Sequence, residues 1–194
     1  MATLRPFRDY SEHDVINLFA FDFTVEGAAT RGALVKIKDG WTAHSEDVDA
    51  FGSTPDMNSW SLNNVVNMRY GLTALVDYAD SGDTPLGMIL FDVAEVDENG
   101  EKLIYHPRKA AEMQTVVSGQ AVPVLTKGLV MVNGVDGTPA AGGLAWANDD
   151  GQISATSGGT KKQVGMFMGV KSTDGDVLLK LDINHGGAAN TLNA

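Results

Sequence analysis

The chain contains no cysteine. Disulfides, thiolate metal sites and thiol nucleophiles are therefore excluded. Proline is scarce, with 6 in 194 residues, so no proline-rich linker divides the chain. Bases are outnumbered: 14 Lys and Arg face 25 Asp and Glu, giving a net charge of −11. Nucleic acid requires clustered positive charge, so direct nucleic-acid binding is not expected. No apolar run approaches the ~18 residues of a membrane helix, and no membrane partner is expected. The N-terminus, MATLRPFRDYSEHD, lacks the apolar segment of a signal peptide. Synthesis in a cytoplasm without an export signal is the expectation.

Hydrophobic residues make up 43% of the chain, enough for a real core, and the 22 glycines suggest many tight turns. Short apolar runs alternate with Gly, Asp, Asn and Ser from Gln120 to Ile183. That spacing predicts a small closed antiparallel β unit. Within it, Val177, Leu179, Leu181 and Ile183 should face inward, with Lys180 and Asp182 outward. In Val164–Val170, period 2 puts Val164, Met166, Met168 and Val170 on one face. Gly165 and Gly169 flank Phe167 on the other, a pattern of close backbone approach.

Upstream, Val15–Val25 reads as one strand with Phe19, Phe21 and Phe23 sharing a face, and Ala33–Ile37 as another. Trp60–Tyr78 carries Val65, Met68, Leu72, Leu75 and Val76 at steps of three and four, which predicts a helix. Leu86–Val96 and Glu101–Tyr105 form a predicted hairpin about Asn99-Gly100, ended by Pro107.

The fold class expected is mainly β: one or two compact antiparallel barrel or β-tulip-like units, one helix and an extended N-terminal arm. The divisions are an arm at 1–14, a β-rich part at 15–118 with a helix-containing insertion at 41–80, a β unit at 119–184 and a loose tail at 185–194. No Glu follows Glu112 and no Arg follows Arg108, which supports a boundary near Gly119. Two segment pairs also look alike: Gly32–Gly40 with Lys127–Gly134, and Pro85–Leu90 with Gln163–Met168. Duplication of a β unit would leave such a pattern.

No catalytic constellation emerges. His13, His44, His106 and His185 are far apart in sequence, and the acids Glu46, Asp47 and Asp49 lack calcium-loop spacing. Nucleophile elbows, P-loops and dinucleotide fingerprints are absent. The expectation is a protein that is not an enzyme and uses no cofactor and no metal. Trp41, Trp60 and Trp146 are core or interface anchors in one reading and a sugar-stacking platform in another.

The order of strands and turns resembles the head decoration (cement) proteins of tailed bacteriophages that carry a β-tulip-type domain. The matching runs are Ala121–Val124, Gly128–Val132, Gly143–Ala147, Gly151–Ile153, Val164–Val170 and Val177–Leu181. The resemblance covers about the last 65 residues of the chain. It implies a non-enzymatic protein on the exterior of a virion, made in the bacterial host, whose partner is the major capsid protein. It also implies a homo-oligomer, with a trimer ahead of a dimer. The capsid-contacting arm would then be Leu4, Arg5, Pro6, Phe7, Arg8 and Tyr10, with the arginines pairing carboxylates and Phe7 as anchor. The alternative is a β-sandwich module that binds carbohydrate or a receptor.

Overall fold

The structure, a computed structural model, describes residues 3–6, 11, 14–22, 28–39 and 74–183. Its strands in chain order are β1 (Thr3–Pro6), β2 (Val15–Ile16), β3 (Ala20–Phe21), β4 (Ala28–Ala29), β5 (Leu34–Asp39), β6 (Leu75–Tyr78), β7 (Gly87–Ile89) and β8 (Asp92–Ala94). A 3-10 turn (Leu103–Tyr105) and the short helix α1 (Pro107–Glu112) follow. The remaining strands are β9 (Thr115–Val117), β10 (Val124–Leu125), β11 (Lys127–Asn133), β12 (Leu144–Ala147), β13 (Ile153–Ser154), β14 (Gln163–Phe167) and β15 (Val177–Asp182). The protein is mainly β, as its turn-punctuated apolar runs predict.

Three sheets form. The first has the order β1-β11-β15-β14-β12-β13 and curls into an antiparallel half-barrel with β1 and β13 as its edges. The second runs β2-β10-β7-β5-β6-β3, and the third β4-β8-β9. Parallel pairing occurs at β3–β6 and β8–β9.

The inner face of the first sheet supplies Val130, Val132, Phe167, Val177, Leu179 and Leu181 to the main core. The second sheet adds Leu34, Met88 and Leu125 to the same cluster. Its other face carries Val35, Val76, Ile89 and Val124 into a second cluster with Phe19 and Phe21. Strands buried on both faces need apolar residues at consecutive positions. The unbroken runs around Leu34-Val35 and Met88-Ile89 have this cause. A third, small cluster of Leu103, Ala110 and Val117 holds the 3-10 turn, α1 and β9 together.

The expected boundary at Gly119 does not divide the sheets. β10 follows it in sequence yet pairs with β2 and β7 of the second sheet, while β1 joins the first. The two halves thus share the main core. Nor does the pairing repeat the sequence similarity. β5 and β7 are direct neighbours, whereas β15 separates their look-alikes β11 and β14. What the pairs do share is a crowded glycine. A Cβ on Gly87 would lie 2.6 Å from the Leu125 carbonyl oxygen, and one on Gly165 would overlap that of Lys180.

Several local expectations change for non-local reasons. Val15–Phe21 is two short strands, because β2 pairs with β10 and β3 with β6. Phe19, Ala20, Phe21 and Asp22 are all buried, so period 2 fails there. Leu75–Tyr78, expected as a helix end, is a strand lodged between β5 and β3. Residues 60–73 of that predicted helix lie outside the described residues, as do Phe23 and the 185–194 tail. Leu86–Val96 splits into β7 and β8, which join different sheets. The returning strand after Asn99-Gly100 shrinks to one Val96–Lys102 bridge before the 3-10 turn. Pro107 opens α1 at the first helical position, where its missing N–H costs nothing.

The predicted inward set Val177, Leu179 and Leu181 is correct, and Ile183 packs against the same cluster. The Val164–Val170 prediction holds for Met166 and Met168 on one face and for Gly165 and Phe167 on the other, with the close backbone approach at Gly165, and fails at Val164. Ala145 pairs with Gly165 and Trp146 with Gln163, leaving Val164 as the extra residue of a bulge. A bulge resets the alternation. Val164 and Phe167 therefore both enter the core, and Met168 and Val170 are exposed.

Candidate functional site

The N-terminal residues expected to contact a capsid start as part of this fold. Antiparallel pairing sets Leu4 opposite Val132, Arg5 opposite Met131 and Pro6 opposite Val130. Proline is tolerated there because β1 is an edge strand. Leu4 is 1% exposed and belongs to the main core. This corrects its assignment as a contact residue: its side chain fills the half-barrel and is not offered to a partner. Nothing local in Thr-Leu-Arg-Pro predicts this, since the partner strand lies over a hundred residues away in sequence. Phe7, Arg8 and Tyr10 lie outside the described residues.

Charged side chains on the described surface mostly serve the scaffold. The buried carboxylate of Asp97 accepts bonds from the backbone N–H groups of Asn99 and Glu101, each at 2.8 Å, and from the Lys109 ammonium. Lys109 and these amides hold its carboxyl below the usual aspartate range. This one side chain fixes the turn and ties it to α1. At another corner Lys36 pairs with Asp83 at 2.7 Å and with Asp80 at 3.3 Å. The Lys36 bond and the Asp80 N–H hold the Asp83 carboxyl low. Asp149 accepts the Ser81 N–H at 2.9 Å, and Asp80 accepts the Asp150 N–H at 3.2 Å, joining this corner to the 149–151 turn. A groove of about 300 Å³ beside it is lined by Lys36, Ile37, Asp83, Thr84 and Leu86. Its two charges satisfy each other.

A third network centres on Ser154, whose buried hydroxyl lies 3.1 Å from the Lys161 ammonium and 3.0 Å from the Asp136 carboxylate. A serine beside a lysine has the makings of a nucleophile and base. Here the hydroxyl also accepts the Thr156 N–H at 3.0 Å and has no exposure to a substrate. Its role is to fasten the loop after β13. Among the described residues, no three His, Cys, Asp or Glu side chains are placed to hold a metal ion. His106 is exposed, while Glu46, Asp47, Asp49 and the other three histidines lie outside the described residues. So do Trp41 and Trp60, whereas Trp146 is half-buried in β12.

What remains is exposed apolar surface, which sequence reasoning did not single out. One site is the 3-10 turn, where Ile104 is 51% and Tyr105 76% exposed, with Val96 and Met113 also exposed. The other is the outer face of the first sheet. Directly opposed residues across an antiparallel ladder share a face. Leu144 opposes Met166, Met166 opposes Lys180, and Lys180 opposes Leu129, one row across four strands. Alongside it, Met131 opposes Leu178, and the Met168 N–H bonds to the Leu178 carbonyl. These six apolar side chains are exposed or half-buried, although the opposite face of the same strands fills the core. A sheet with one solvated face ordinarily reads polar on that side. The alternation of Val-Met-Val in β11 and Val-Leu-Leu in β15 carries this signal once the strand partners are known.

These features define a β scaffold with exposed apolar side chains at the 3-10 turn and on the outer face of the first sheet. Compared with known proteins, the chain matches no family profile and no curated protein.

Proposed function

We propose that the protein is a capsid decoration (cement) protein of a tailed bacteriophage. It binds the outside of the head and bridges adjacent major capsid subunits. The observation that carries this reading is the pair Ile104 and Tyr105, large apolar side chains exposed on a 3-10 turn that Leu103 anchors against Ala110 and Val117, between the Asp97 turn and α1. Anchors of this kind, aromatic and preorganised, dominate the energetics of protein interfaces. The net charge of −11 favours a protein partner over DNA. The resemblance in strand and turn order from Ala121 to Leu181 supports the capsid as that partner. Many equivalent copies on one particle would turn a modest contact into durable reinforcement.

The test uses expanded heads that lack the protein. Purified protein should co-sediment with them and raise the temperature at which they break. The Ile104→Asp/Tyr105→Asp variant should bind at least about tenfold more weakly, since each anchor is worth about 1 kcal/mol or more. Failure of the wild-type protein to bind any such head would refute the function. Binding unaffected by the double variant would move the contact to another surface.

A further inference from the structure

We infer that the outer face of the first sheet is a docking surface for a second copy of this chain, packed face to face about a two-fold axis. Five of the six apolar residues lie on β11, β12, β14 and β15, and Met168 follows β14 directly, bonded to Leu178; together they form one face, not a set of scattered side chains. Apolar side chains gathered on one solvent-facing sheet face commonly mark an interaction site.

Charge argues for a second copy as its occupant. Two chains of net charge −11 repel each other, and they can approach only where that charge is locally cancelled. Residues 119–183 meet this condition, with five lysines against six aspartates, a net −1. On the face itself Lys180 and Asp182 are both exposed and sit two positions apart on β15. Lys127 stands opposite Asp182 across the β11–β15 ladder. The face thus carries two lysines and one aspartate among its apolar residues, and a surface bearing both signs can pair with itself. An isologous contact brings Lys180 of one copy to Asp182 of the other and the reverse. A strongly basic partner, which the acidic remainder of the chain would attract, gains no such match here. This inference stands apart from the capsid reading, because it concerns the free protein in solution.

Sedimentation equilibrium of the full chain across the micromolar range is the test. The wild-type protein should reach twice its mass of 20.5 kDa. Met168→Asp and Leu144→Asp should each weaken dimerisation by about tenfold or more. Both positions are exposed, so the circular dichroism spectrum should be unchanged. Lys180→Asp alone should weaken the dimer, and the exchange Lys180→Asp/Asp182→Lys should restore it. A monomer throughout the range, a trimer, or a dimer indifferent to these substitutions overturns the inference.

Discussion

Replacing Leu4 with alanine tests whether the N-terminus belongs to the core of this protein. In the structure β1 is a short edge strand, and Leu4 belongs to the main cluster, 1% exposed among side chains of β11, β15 and their neighbours. Leu→Ala removes three carbons' worth of apolar volume, about 2.5 kcal/mol at ~0.8 kcal/mol per buried methylene. An unrelaxed cavity raises the total toward the ~2.7–5 kcal/mol measured for buried leucines. An edge strand can settle inward more than a central one, so about 2.5–3.5 kcal/mol is expected here. Leu4→Met preserves the volume and should cost less than about 1.5 kcal/mol. Urea unfolding by linear extrapolation gives both values, and an unchanged slope would show that the difference lies in stability. A loss below about 1 kcal/mol for Leu4→Ala would refute the docking of β1, as would equal effects of the two variants.

Three further outcomes follow from the same packing. Gly165→Ala should destabilise the protein by about 2 kcal/mol or more, because the new Cβ meets the Lys180 backbone, which cannot move without shifting β15; an unchanged thermal midpoint would contradict this. The carboxyls of Asp83 and Asp97 are held low by their lysines and nearby N–H groups, so their contribution is complete above the unfolded aspartate pKa and fades as the pH falls below about 4. Thermal midpoints should therefore drop on acidification, and less steeply in Asp83→Asn; superimposable pH profiles would count against the Lys36–Asp83 pair. Lys109→Met leaves the buried Asp97 carboxylate without its counter-charge, and hydrogen exchange at the Asn99 and Glu101 amides should accelerate. Amide protection equal to wild type would mean that Lys109 does not hold the turn.

The residues that settle into the expected places do so for local reasons. Val177, Leu179 and Leu181 alternate cleanly with Lys180 and Asp182, so one face can only be the core. Gly134, Gly137 and Gly175 turn the chain with positive φ, the backbone region that glycine enters most easily. The mainly β character follows from repeating these two devices. Neither device names a partner strand. Leu4 looked like part of a free arm because only β11 makes it a core residue. Leu75 and Val76 satisfied a helical spacing, but β5 and β3 claim them as strand. Val164 and Phe167 share the core only because a bulge opposite Ala145 and Trp146 resets the alternation.

The candidate surfaces divide in the same way. The sequence by itself determined that the chain is acidic, cysteine-free and built of short strands, and it offered the N-terminal residues as the place to look. Only the tertiary structure decided that Leu4 is spent on the interior and that Leu129, Leu144, Met166 and Leu178 meet on one outward face. The physical reason is the reach of the interactions. Period and turn chemistry act over a few neighbouring residues, whereas a sheet face is assembled by hydrogen-bond ladders between strands distant in the chain.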